Sequence, residues 1–124
     1  MTQEALKGEL RKTYQTYVEG FKTNDVKLID SIVRYPIAYL KDGAIDMLNH
    51  YPIDPKKLKE EKGWDHSTDW HFDIPAINNT HAHAVASATR RRADGTIIER
   101  VHGFYAFTKV DGLWQMYAFS EVVF

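Results

Sequence analysis

The sequence of 124 residues contains no cysteine, and this absence excludes disulfide bridges, thiolate zinc sites and cysteine nucleophiles. No run of about 18 apolar residues occurs, so no segment is expected to cross a membrane as a helix. Neither sign of charge dominates, because 16 Lys and Arg residues oppose 17 Asp and Glu residues. The formal net charge of -1 gives no overall attraction for nucleic acid or an anionic membrane. We therefore expect no nucleic-acid partner and no membrane partner.

The N-terminal residues 1–12 also lack the apolar segment of a signal peptide, so a cytoplasmic location is expected. The length predicts a single domain over residues 1–124. Aromatic residues make up 13% of the chain. Since Tyr and Trp combine a large apolar area with a polar group, they can line a cavity as well as fill a core.

Helical periodicity marks the beginning of the chain. An apolar residue recurs at steps of three or four at Leu6, Leu10, Tyr14, Tyr17 and Phe21. Such a stripe is typical of an amphipathic helix that packs on a core.

Three shorter elements are expected next. A helix over about 25–33 is followed by a strand over 37–40. A surface helix over 55–62 is predicted because Asp54 can cap it and Pro55 suits its first position.

The rest of the chain predicts four strands, over about 69–77, 80–93, 96–110 and 113–124. The dipeptides between them, Asn78-Asn79, Asp94-Gly95 and Asp111-Gly112, suit two-residue hairpin turns. Helices followed by a long curled antiparallel meander predict an α+β fold, with the helices packed on one face of the sheet.

Two-residue turns would fix the register of the strands. They place His102 between Ser87 and Glu121, and Ile74 opposite His83. Side chains directly opposite have Cβ atoms about 4.5–5.5 Å apart, and a neighbouring carboxylate favours and orients an imidazolium. His102 and Glu121 are therefore the predicted pair for proton transfer.

Both faces of this sheet would be largely apolar, although an antiparallel sheet with one solvated face normally is not. We therefore expect a second copy to cover the outer face and form a homodimer. The register leaves open which face is the inner one. One face carries His102, Glu121 and the aromatic residues Trp70, Phe104, Tyr117 and Phe119; the other carries Ala82, Ala84, Ala86, Ala88, Tyr105, Trp114 and Met116.

Three segments carry a resemblance to a known family: Val-His-Gly-Phe-Tyr-Ala-Phe at 101–107, Lys-Val-Asp-Gly-Leu-Trp at 109–114, and Ser-Glu-Val at 120–122. With the order of elements, they resemble the nuclear-transport-factor-2-like (NTF2-like) superfamily, which includes SnoaL-like polyketide cyclases and ketosteroid isomerases. The resemblance covers nearly the whole chain. It implies one SnoaL-like domain with a cone-shaped curled sheet, a cystatin-like α+β barrel, whose concave face holds the N-terminal helices and a pocket.

The resemblance also implies roles for residues. His102 matches the position at which ketosteroid isomerases hold a buried acid that donates to the substrate oxyanion, and Tyr14 or Tyr17 matches the second donor. Where that family has a carboxylate base, this chain has only Asp42, within a turn. Because the fold hosts several chemistries and also binding proteins, it does not fix the activity.

Together these observations predict cofactor-free acid–base chemistry, as an isomerase, cyclase or dehydratase, on a small apolar molecule. No tightly bound transition metal is expected, because the histidines of the third and fourth strands would divide between two faces. The run at 90–92 is expected to be solvated. The alternative is a non-catalytic module for hydrophobic-ligand binding or dimerisation, which a filled cone would favour over a cavity of about 300 Å³ or more. The predicted catalytic residues are His102, Glu121, Tyr17 and Tyr14, and the predicted ligand-binding residues are Trp70, His83, Phe104, Phe119, Tyr39 and Tyr117.

Overall fold

Helices precede most of the strands in the computed structural model, which describes residues 2–124. The helices are α1 (Gln3–Thr23), α2 (Val26–Asp30) and α3 (Pro55–Lys62). The strands are β1 (Val33–Lys41), β2 (Ala44–Leu48), β3 (His66–Ile77), β4 (His81–Arg91), β5 (Ile97–Val110) and β6 (Leu113–Val123). The predicted α+β class is confirmed.

Local signals explain where the helices begin and end. The Thr2 hydroxyl accepts a hydrogen bond from the backbone N–H of Ala5, and Asn24 ends α1 with a φ of 55°. Asp54 caps α3 through the N–H of Lys56, and Gly63 ends it with a φ of 73°. All five members of the predicted apolar stripe of α1 are buried, as expected for a helix that packs on a sheet.

The six strands form one curled, unclosed sheet in the order β2-β1-β6-β5-β4-β3. Strand β1 pairs with β6 in parallel, whereas the other neighbours are antiparallel. The sheet is therefore mixed. The antiparallel pairing of β3 to β6 was predicted, but the parallel pairing of β1 with β6 was not. The N–H of Met116 donates to the carbonyl of Ile32 at 2.8 Å, at the start of β1.

The alanine-rich face of the sheet is the inner one, so the second of the two alternatives is correct. Ala82, Ala84, Ala86 and Ala88 of β4 are buried. The first three of them belong to one core cluster with the α1 stripe. Small side chains at alternate positions let the helix approach the sheet closely, since successive strand residues point to opposite faces.

The predicted pairing of His102 with Glu121 is wrong because β6 contains an extra residue. The Asp111-Gly112 turn has two residues, as predicted, since Val110 faces Leu113. The register then shifts by one, at Tyr117, between the Phe107–Met116 and Ala106–Ala118 pairs. Such an insertion is a β-bulge. Beyond it Glu121 faces Gly103, and His102 faces Val122.

The turn between β4 and β5 is longer than predicted, but the register recovers. Arg92 and Thr96 close the loop through a backbone hydrogen bond, so Ala93 is not paired with Thr96. One extra residue in β5, Ile98, compensates for the longer loop. Ser87 therefore faces His102 as predicted.

The predicted pairing of Ile74 with His83 is wrong, because Ala76 faces His83. The Asn78 side chain accepts hydrogen bonds from the N–H groups of Thr80 and His81, as in an Asx turn. The N–H of Asn78 donates to the carbonyl of His81, so the turn residues are Asn79 and Thr80, one position later than predicted. One irregularity in β3, between Asp73 and Ala76, then brings Phe72 and Ile74 to the inner face.

Candidate functional site

A cavity lies between α1 and the inner face of β3–β6. Its volume of about 30 Å³ has room for roughly two water molecules. It is much smaller than the roughly 300–1,000 Å³ of most ligand pockets. The lining consists of Tyr14, Tyr17 and Phe21 from α1 and of Ser67, Trp70, Ala86, Ser87, Ala88, Arg90, Val101, Gly103, Tyr105 and Glu121 from the sheet.

Glu121 is the carboxyl group of this cavity. Its side chain is 8% exposed, and one of its oxygens, Oε2, lies 3.7 Å from Nη2 of Arg90. Burial raises the pKa of Glu121, and the Arg90 charge only partly opposes this effect. A carboxyl with a raised pKa can exchange a proton nearer neutral pH than an exposed one.

Arg90 also pairs with a second carboxylate, which lies closer to it than Glu121 does. Its Nη1 donates to Oε2 of Glu99, and Lys62 Nζ donates to Oε1 of Glu99 at 2.8 Å. Burial raises the pKa of Glu99, but the hydrogen bonds from Lys62 and Arg90 outweigh it and hold the pKa below its usual value. The expectation that residues 90–92 are solvated is wrong for Arg90, which is 6% exposed.

Three phenols share the cavity with Glu121. The hydroxyl of Tyr17 is hydrogen-bonded to the hydroxyl of Tyr51 at 2.8 Å. Among residues 2–124, no protein group hydrogen-bonds to the hydroxyls of Tyr14 or Tyr105. Burial raises the pKa of both, so each remains a neutral O–H donor.

Gly103 makes room for one of these hydroxyls. A Cβ atom at this position would lie 2.6 Å from Oη of Tyr105, well inside van der Waals contact. The Tyr105 hydroxyl therefore lies over Gly103, and Gly103 is the residue that faces Glu121 in the sheet. This close approach requires a residue without a side chain.

Trp70 forms the solvent-exposed wall of the cavity. It follows Asp69, whose φ is 56°, in a stretch where β3 has one residue more than β4. The indole is 40% exposed, and its Nε1 donates to the carbonyl of Ser67 at 3.1 Å. A partly exposed side chain at a bulge is packed less tightly than the core.

Aromatic packing fills the rest of the cone. The ring of Phe119 stacks on Tyr39 at 4.9 Å and on Tyr51 at 5.2 Å between ring centroids. Tyr14 stacks on Phe72 at 4.0 Å. Phe119 is fully buried, and neither it nor Tyr39 borders the cavity.

The predicted site residues thus divide between the cavity, the outer face of the sheet and the packed aromatic residues. Four of the ten predicted site residues line the cavity, namely Tyr14, Tyr17, Trp70 and Glu121. Another four lie on the outer face, namely His83, Phe104, His102 and Tyr117. The alternative with the alanine-rich face inward predicted Tyr105, Trp114 and Met116 as pocket residues, and of these only Tyr105 borders the cavity. Sequence reasoning missed Arg90.

Within residues 2–124, no group of three or more His, Asp or Glu side chains is placed to hold a metal ion. In the same part of the chain, none of the helices is long and apolar enough to span a membrane.

Comparisons with known proteins identify the fold. No family model and no curated protein matches the chain. Solved structures do match. An NTF2-like protein of unknown function from Shewanella baltica is 17% identical, with a TM-score of 0.65 over 100% of this chain and 98% of that chain.

Two further structures have names that indicate an activity. A scytalone dehydratase-like protein from Novosphingobium aromaticivorans is 15% identical, with a TM-score of 0.66 over 97% of this chain and 85% of that chain. A ketosteroid isomerase-like protein from Shewanella frigidimarina is 6% identical, with a TM-score of 0.60 over 90% and 92%. At such identities the likeness concerns architecture and not chemistry. The helices on a curled mixed sheet, and the solved structures that share them, show that this chain has the NTF2-like fold.

Proposed function

We propose that this protein binds a small apolar molecule in the Glu121 cavity and catalyses a cofactor-free proton transfer on it, as an isomerase, cyclase or dehydratase. One observation carries the proposal. A buried carboxyl with a raised pKa shares a cavity with two neutral phenol hydroxyls, Tyr14 and Tyr105. Titratable groups perturbed in this way are concentrated at functional sites.

The chemistry follows from these groups. The carboxylate of Glu121 takes a proton from a carbon next to a carbonyl and later returns it to another atom of the same molecule, so Glu121 ends unchanged. Negative charge develops meanwhile on the carbonyl oxygen. The O–H groups of Tyr14 and Tyr105 donate to that oxygen and stabilise it in a site of low polarity. Glu121 thus takes over the role that the sequence assigned to the His102 pair.

The cavity must open before such a molecule can enter, because about 30 Å³ is too small for a carbon ring. Trp70 is the wall best suited to move, since it is partly exposed and lies in a bulge. Two solved structures with this fold are named as an isomerase and a dehydratase, so the fold is compatible with this class of reaction.

The test uses 3-cyclohexenone, a small apolar ketone whose conversion to 2-cyclohexenone is followed by ultraviolet absorption. Glu121→Gln should lower the rate by about 10²–10⁴-fold, since it removes the proton acceptor. Loss of one oxyanion donor in Tyr14→Phe or Tyr105→Phe should lower it by about 10–10³-fold. The matched controls are Glu60→Gln on the exposed side of α3 and Tyr35→Phe, whose hydroxyl bonds to Asp30 instead. Equal rates for wild type and Glu121→Gln would reject the catalytic role.

The second candidate is a non-catalytic module that binds a hydrophobic ligand or dimerises. The nearly filled cone favours it. Saturable binding of 2-naphthol, weakened by Tyr14→Phe and Tyr105→Phe, without turnover of 3-cyclohexenone would support this candidate.

Under either function we propose a homodimer through the outer face of the sheet, where Phe104 is 38% and Val122 is 61% exposed. Exposed apolar residues on one face indicate an interface. Sedimentation equilibrium at micromolar protein that gives the mass of one chain, 14.4 kDa, would contradict it.

A further inference from the structure

Two histidines stand side by side on the outer face of the sheet, outside the cavity. His81 and His83 of β4 are both exposed, and their Nε2 atoms lie 3.3 Å apart. Their ring centroids are 5.2 Å apart, with an angle of 77° between the planes. This spacing is that of a hydrogen bond in which one Nε2 donates and the other accepts, so the two nitrogens share one small region above the sheet.

The separation of these nitrogens matches that of two ligands on one zinc ion. Zinc binds imidazole nitrogen at about 2.0–2.1 Å in tetrahedral geometry, which separates any two ligand nitrogens by about 3.3–3.4 Å. A zinc ion bound by both nitrogens would replace the hydrogen bond between them, and the proton of the donor ring would move to its Nδ1. Imidazole also suits copper and nickel, but tetrahedral geometry favours zinc.

The neighbouring bulge supplies an orienting partner for one ring. The Tyr117 hydroxyl lies 3.4 Å from Nδ1 of His81, the ring nitrogen that would not face the metal. Metal-binding histidines typically hold their second nitrogen in such a hydrogen bond. Tyr117 would be a positioning residue for this site.

One chain alone supplies only half of a zinc site. A structural zinc ion takes four protein ligands, and no third His, Asp or Glu joins the pair within residues 2–124. In a two-fold symmetric dimer the same patch meets itself, so a second pair of histidines is available where the axis passes close to the first. The Phe104 ring, 5.8 Å from His83, extends the apolar part of that patch.

We propose that His81 and His83 form half of a tetrahedral zinc site, which a second copy of the chain completes across the outer face of the sheet. The expectation of no tightly bound metal placed the histidines of β3 and β4 on different faces. That placement is wrong, because His71 faces Ser87 on the outer face that also carries His81 and His83, although it does not join them within residues 2–124. A site shared by two chains is independent of the Glu121 cavity and of its chemistry.

The experiment uses the full chain without an affinity tag, treated with EDTA and then titrated with zinc chloride. Native mass spectrometry should show one zinc ion per two chains. The dissociation constant of the dimer, from sedimentation velocity, should fall at least about tenfold when zinc is present. X-ray absorption should show four nitrogen ligands at about 2.0 Å.

Variants distinguish this site from non-specific zinc binding by surface histidines. His81→Ala and His83→Ala should each abolish the zinc-dependent change in dimer dissociation, whereas His102→Ala, a histidine lost from the same face, should retain it. Tyr117→Phe should weaken zinc binding by about 10–100-fold. One zinc ion per chain, zinc bound without effect on the dimer, or unchanged zinc binding in both His81→Ala and His83→Ala would each overturn the proposal.

Discussion

Gly103→Ala tests the close approach on which the candidate site depends. A methyl group at Gly103 would lie 2.6 Å from Oη, 2.8 Å from Cζ and 2.9 Å from Cε2 of Tyr105. All three distances are shorter than a van der Waals contact. Either the Tyr105 ring or the two strands must therefore move.

The ring has little freedom to move, which sets the size of the effect. Tyr105 is 4% exposed. Its ring centroid lies 6.1 Å from that of Phe119 and 6.2 Å from that of Tyr17. Overfilling a packed core costs about 1–3 kcal/mol, and we expect Gly103→Ala to lower the free energy of unfolding by this amount. For a domain of this size the melting temperature should fall by about 2–8 °C per kcal/mol.

Urea unfolding followed by circular dichroism measures the change. Gly8→Ala is the matched control, because no atom beyond the neighbouring backbone of α1 lies within 4 Å of a Cβ at that position. There alanine should stabilise the protein by about 0.5–1 kcal/mol through its helix propensity. In a Tyr105→Leu background the cost of Gly103→Ala should largely disappear, which a double-mutant cycle detects. If Gly103→Ala proves as stable as wild type, Tyr105 does not cross over Gly103.

Two more predictions concern stability. Gly20→Ala should destabilise despite the helix propensity of alanine, because its Cβ would lie 2.9 Å from Cγ1 of Ile29 and 3.2 Å from the carbonyl oxygen of Asp25; urea unfolding beside Gly8→Ala checks the opposite signs. Because the folded pKa of Glu121 is raised above its ordinary 4.5, the carboxyl disfavours folding increasingly as pH rises through the folded value. Glu121→Gln should therefore gain stability over wild type across that window, and parallel pH profiles would contradict this.

Much of the fold could be predicted because its signals are local. The apolar stripe of α1 depends only on spacing along one helix, and the ends of α3 depend on Asp54 and Gly63, which lie beside it. The Asp111-Gly112 turn likewise places both residues at positive φ, as a two-residue hairpin requires. None of these features needs information from distant parts of the chain.

The candidate site could be predicted only in part because it depends on register. Each extra residue in a strand moves every later side chain to the other face relative to its neighbour. Tyr14 and Tyr17 were found because they belong to a helix, whose face is fixed by its own period. Glu121 was paired with His102 because the irregularity at Tyr117, which separates them, has no marker such as glycine.

The energies of burial explain why β6 has this irregularity. Strict alternation along the strand could turn either Trp114 and Met116 or Phe119 and Glu121 toward the helices, but not both sets. With the extra residue, Trp114 is 4% exposed and Met116 and Phe119 are fully buried. Burial of one such side chain contributes about 1.5–3 kcal/mol, whereas an unmade ladder hydrogen bond costs about 0.5–1.5 kcal/mol. Core packing therefore favours the bulge, and the same shift brings Glu121 into the cavity, away from His102.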